Sequence, residues 1–114
     1  MTEANVWIFT TKGFISIVRS DQESPEKVMV RCRTRADAEH FNKEMFGEGV
    51  IVTEDSDYRF RFICRDVDAS TYIKDCIEDI DYTNFKNAVE DRKRMPALHR
   101  VWHAMYELQE TTNG

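Results

Sequence analysis

The sequence predicts an α+β fold of two layers, with helices on one face of a mostly antiparallel five-stranded sheet. Two observations predict it. Positions 28–33 and 58–65 alternate their residues at a period of two, the period of a half-buried strand; from Thr34, and again from Val67 onward, the period becomes helical. The element order is then β-β-β-α-β-β-α-α-α. Positions 28–80 alone read β-α-β-β-α, a ferredoxin-like core preceded by a β-hairpin and followed by extra C-terminal helices. The 114 residues suit one domain, 1–114.

Positions 6–19 hold two β-rich runs divided by Thr11, Lys12 and Gly13, a hairpin whose glycine is expected to supply a positive φ. Positions 20–26, polar and containing Pro25, form a solvated loop. Positions 27–33 make a third strand, with Val28, Val30 and Cys32 on one face and Met29, Arg31 and Arg33 on the other. Thr34 caps a helix with Asp37 in its first turn and Ala38, Phe41 and Met45 as its stripe, and Gly47 and Gly49 end it.

Positions 50–53 resume a β run, and a polar break leads into positions 56–65. There Tyr58, Phe60, Phe62 and Cys64 are expected to face the core, and Arg59, Arg61, Ile63 and Arg65 the other side. From Val67 a helix with Asp68 as its cap carries Ala69, Ile73, Cys76 or Ile77, and Ile80 on one side. Phe85 and Val89 mark a short helix closed by Arg92, Lys93 and Arg94. Pro96 opens a last helix with a broad face of Leu98, Val101, Trp102, Met105, Tyr106 and Leu108, and positions 110–114 fray.

A net charge of −5 argues against attraction of the whole molecule to nucleic acid or an anionic membrane, though not against a local basic patch. Three widely spaced cysteines without a Cys-x-x-Cys read as buried thiols in a reducing compartment. With no leader-like start and no apolar run near the roughly 20 residues that span a bilayer, a cytoplasmic, non-membrane protein is expected.

The leading candidate site is the outer strand face, where Arg31, Arg33, Arg59 and Arg61, with Arg65 and Arg19 as further candidates, would hold phosphates or carboxylates through paired donors. The competing reading has them solvated and paired with some of the 21 acidic side chains, each pair worth about 0–1 kcal/mol. Positions 12–18 are faintly similar to the RNP1 phrase of RNA-recognition motifs, but Ile15, Ser16 and Ile17 stand where small and aromatic residues belong, so no stacking platform is expected there.

His99 and His103 share a helix face at a spacing that can chelate a metal, yet Arg100 replaces the glutamate of the zincin pattern and no third ligand is evident. Glu78, Asp79 and Asp81 read as the wet side of a helix before they read as a catalytic group. Trp102 and Tyr106, with His99 and His103 beside them, are core on the first reading and an interface on the second. No cofactor is implied, and no catalytic residue is assigned.

Four phrases run in order through the chain: Trp7-Ile8-Phe9-Thr10 through Ser16, Asp57-Tyr58-Arg59-Phe60-Arg61, Ile80-Asp81-Tyr82-Thr83-Asn84-Phe85-Lys86, and His99-Arg100-Val101-Trp102. Together they resemble a family of small uncharacterised bacterial proteins with Trp-x-Phe-Thr-x-x-Gly-Phe-x-Ser near the start. The resemblance implies a self-contained domain and no catalytic residues. The expectation is a small non-catalytic interaction or regulatory module binding a protein or anionic partner, a use as a phage-type inhibitor of nucleic-acid machinery being compatible. The alternative is an enzyme or sensor for a phosphorylated small molecule, nucleotide or nucleic acid built on the same arginines. A homodimer through the last helix is a third.

Overall fold

In a computed structural model of the chain, residues 5–19 and 24–112 are described, so most of the expected loop at 20–26 and the last two residues of the expected fray lie outside them. Two compact units, Met1–Ile80 and Asp81–Gly114, divide the chain. The first contains β1 (Asn5–Thr10), β2 (Gly13–Val18), β3 (Lys27–Cys32), α1 (Arg35–Glu44), β4 (Ile51–Val52), β5 (Phe60–Arg65) and α2 (Asp66–Glu78). Its sheet is five-stranded and antiparallel, in the order β1-β2-β3-β5-β4. The fold is therefore α+β.

Strand pairing sorts the side chains. Ile8 opposes Ile15, Ile17 opposes Val30, and Val28, Val30 and Cys32 oppose Cys64, Phe62 and Phe60. These residues form the core with Ala38, Phe41 and Met45 of α1 and with Ala69, Tyr72 and Ile73 of α2. Both helices thus cover one face of the sheet, and the Phe41 and Tyr72 rings meet edge to face at 5.7 Å. Phe41 and Phe62 are fully buried, so truncating either would cost about 3–5 kcal/mol.

Thr34 caps α1 as its position suggests, its hydroxyl accepting the Asp37 amide at 3.1 Å. The helix ends at Glu44, three residues before the first of its expected glycines, and Phe46, not Gly47, takes the left-handed backbone at φ 54°, while Gly49 sits at φ 119°. The hairpin glycine also has a different reason from the expected one. Gly13 has no left-handed φ. What requires it is space, because a Cβ there would lie 2.8 Å from the Asp37 carboxyl and 2.9 Å from the Phe41 ring. At α2 the expected cap, Asp68, instead lies in the first turn and accepts from Arg65 Nε at 3.0 Å; the N-cap is Arg65, with no side-chain cap bond.

The second unit contains α3 (Phe85–Ala88) and α4 (Met95–Thr111). Asn84 caps α3 by accepting the Asn87 amide. Arg92, Lys93 and Arg94 do not close α3; they form a turn leading into α4, and Pro96 occupies the first turn of that helix. Of the expected apolar face of α4 only Leu98 is buried, while Val101, Trp102, Met105, Tyr106 and Leu108 are exposed. Among the described residues no helix is long and apolar enough to cross a membrane.

Candidate anion-binding site

Register places the arginines. Ser16, Arg31 and Arg61 stand directly opposite one another across β2, β3 and β5, on the sheet face turned away from α1 and α2. Arg31 and Arg61 are like charges at facing positions, which destabilises a strand pair unless something neutralises it.

Neutral groups hold these side chains. Arg31 Nη2 donates to Ser16 Oγ at 2.8 Å, and its guanidinium lies 4.5 Å from the centre of the Tyr58 ring. Arg33 lies 4.0 Å from the same ring centre and donates to the Asp57 carbonyl at 2.8 Å. Arg61 Nη2 donates to Ser56 Oγ at 2.5 Å and to the Tyr58 carbonyl at 2.9 Å, with Nη1 3.6 Å from Met29 Sδ. Three guanidinium groups thus converge on Tyr58 or its backbone and fasten the loop between β4 and β5.

Tyr58 was expected in the core with Phe60 and Phe62. It is buried, at 3% exposure, but against the arginines. The reason is where the strand begins: β5 starts at Phe60, so the alternation that assigns faces does not extend back to position 58. Arg59, also before the strand, is exposed, and its side chain makes no hydrogen bond or ion pair among the described residues. Arg19 and Arg65 leave the group, paired with Asp66 at 3.1 Å and Asp68 at 3.0 Å.

Arg31, Arg33, Arg59 and Arg61 form no ion pair among the described residues. Arg31 Nε, Arg61 Nε and Tyr58 Oη are buried without a hydrogen-bond partner. A buried donor left unpaired costs about 1–3 kcal/mol, more when charged. The planar guanidinium fork matches the acceptor oxygens of phosphate and carboxylate.

The same face carries aromatic residues that the alternation makes visible only once the register is known. Trp7 opposes Ser16 and Phe9 opposes Phe14, so all three rings lie on the arginine side. Phe9 and Phe14 stack at 4.6 Å, and Trp7 meets Phe14 edge-on at 5.6 Å. Trp7 is 63% exposed.

In the second unit His99, Trp102 and Tyr106 form a ladder along α4: His99 stacks on Trp102 at 6.1 Å and Trp102 on Tyr106 at 5.6 Å. Lys86 Nζ lies 4.9 Å from the Trp102 ring centre. His103 turns to Glu107, Nε2 to Oε2 3.5 Å. The described residues include no group of three His, Cys, Asp or Glu placed to hold a metal. Glu78 pairs with Lys74 at 3.0 Å and Asp79 ends α2, so that acidic group serves its helix. Burial pushes the Cys32 thiol up to about 12, with the Asp37 carboxylate adding to it, and the Cys64 thiol up to about 11, which makes both poor nucleophiles at neutral pH.

Compared with protein-family models, with curated proteins and with solved structures, the chain gives no match.

Proposed function

We propose that this protein is a non-catalytic interaction module that engages an anionic partner through Arg31, Arg33 and Arg61. One observation carries the reading: in a chain of net charge −5, these guanidinium groups gather around Tyr58 with no carboxylate among the described residues to neutralise them. Their neutral partners hold them in place and leave their charge available. The order β3-β5-β4, with α1 connecting β3 to β4, supports a ferredoxin-like reading of the segment behind them. Free cysteines, two of them buried, fit work in a reducing, cytoplasmic setting.

The test is a thermal-shift panel of inorganic phosphate, pyrophosphate, polyphosphate and a polyglutamate peptide, run on the full chain and on Arg33→Glu/Arg61→Glu. A ligand at 100 times its Kd adds about 2.7 kcal/mol of stability. The expected result is a shift with at least one multivalent anion that disappears in the variant. No shift across the panel, or a shift that the variant retains, refutes the assignment.

A further inference from the structure

We infer that the ligand of this face is single-stranded nucleic acid, its phosphates held by Arg31, Arg33 and Arg61 and a base stacked on Trp7. This rests on the anion reading above and adds the part that the arginines leave unexplained, the aromatic half of the same sheet face.

Neighbouring strands are about 4.8 Å apart, so Trp7 on β1 stands roughly 10 Å from Arg31 on β3 and roughly 14 Å from Arg61 on β5. That spacing places an aromatic surface and two cations along one line across the sheet, the combination by which sheet proteins hold unpaired strands: bases on rings, backbone on guanidinium groups. Trp7 is 63% exposed, so its ring is accessible to a base from solvent. Phe14 meets Trp7 edge-on, which supports that ring from one side and leaves a face open to a base. Duplex DNA fits poorly, because its bases are stacked inside and the molecule's net charge of −5 disfavours a long contact with two phosphate chains. An acidic peptide would use the arginines but has no need of Trp7. A single strand uses both.

Fluorescence anisotropy decides between these occupants, with a labelled twelve-nucleotide oligothymidylate, an abasic oligomer of equal length and a polyglutamate peptide as probes. The full chain is compared with Trp7→Ala and with Arg33→Gln/Arg61→Gln, Trp7 and Arg33 being exposed enough to replace without unfolding the protein. Oligothymidylate is expected to bind tightest. Trp7→Ala should weaken it about 5-fold or more while leaving the abasic oligomer unchanged, since one base–ring stack is worth that much. The arginine variant should weaken both oligomers, and the salt dependence of log K should have a slope of about −2 for three phosphate contacts on a single strand. Equal binding of the abasic oligomer and oligothymidylate, or tightest binding of the peptide, with loss in the arginine variant, overturns the nucleic-acid inference and leaves the anion reading standing. Binding of no probe, or binding that the arginine variant does not weaken, overturns both.

Discussion

Replacing Tyr58 with phenylalanine separates what the site does for stability from what it does for binding. The ring is 3% exposed, its hydroxyl has no hydrogen-bond partner, and the guanidinium groups of Arg31 and Arg33 lie 4.5 and 4.0 Å from its centre. Tyr58→Phe keeps the ring and both cation–π contacts and deletes only the orphaned hydroxyl. Because such a group costs about 1–3 kcal/mol, the variant should be more stable by about 1 kcal/mol. For a domain of this size that raises Tm by about 3–6 °C. Tyr58→Ala removes the ring as well, and losing a buried aromatic side chain costs about 3–5 kcal/mol, to which two cation–π contacts add about 0.5–2 kcal/mol each. Urea denaturation followed by Trp fluorescence gives both numbers. Anion affinity should stay unchanged in Tyr58→Phe even as stability rises, since the ring that holds Arg31 and Arg33 is kept and the deleted hydroxyl is buried away from solvent. If Tyr58→Phe is less stable than the parent by 1 kcal/mol or more, the hydroxyl is satisfied in solution and the unpaired-donor reasoning fails.

Gly13→Ala should cost about 1–3 kcal/mol through overpacking against Asp37 and Phe41; an unchanged urea midpoint would mean that α1 shifts to make room. Phe46→Asn should stabilise by about 0.5–1 kcal/mol, because the exposed Phe46 occupies a left-handed φ of 54° that asparagine tolerates better, and a lowered midpoint would contradict this. The thiols give a pH prediction. The folded state holds Cys32 and Cys64 protonated up to about 12 and about 11, against 9.0 for an unperturbed thiol, so it binds more protons than the unfolded chain in that interval. Their contribution is full below pH 9 and lost as pH rises toward 11–12. The urea midpoint should fall between pH 9 and 11, and Cys32→Ala/Cys64→Ala, although less stable overall, should show a shallower fall over that interval; an equal slope refutes the assignment. With a thiol-reactive dye at pH 8, the half-buried Cys76 should label first and the two buried thiols only on unfolding; labelling of all three at one rate would refute it.

Much of this fold is legible in the sequence wherever a period runs over several residues. Ala38, Phe41 and Met45 keep one helical face and are all fully buried, and Val28, Val30 and Cys32 keep one strand face. Legibility fails at element ends. Tyr58 precedes the strand whose alternation its position continues in the sequence, and Phe46 takes the left-handed turn that a glycine one residue later would have taken more readily. Gly13 was correctly marked as special for an incorrect reason, since only the packed position of α1 reveals the missing room. The apolar stripe of α4 has the right period for burial, but period alone does not say what covers it, and Trp102 stays 50% exposed.

The distribution of carboxylates explains how an acidic chain can carry a cationic site. At the end of β3 and β5 where Lys27 opposes Arg65, every cation has an acid: Lys27 with Glu48 at 2.6 Å, Arg65 with Asp68, Arg19 with Asp66. Toward the other end of the same two strands Arg31, Arg33 and Arg61 have two hydroxyls, two carbonyls, a thioether and a ring instead. Had Ser16, Ser56 or Tyr58 been acidic, the facing arginines would be neutralised and the pair stabilised, with no charge left over. Neutral acceptors do the opposite. They fix the geometry of the guanidinium groups while leaving their attraction for an anion intact, so that less ordering is required when the anion arrives. On the proposed reading, the remaining acidic surface repels anions that miss this patch and so confines binding to the one face where the register places arginine beside tryptophan.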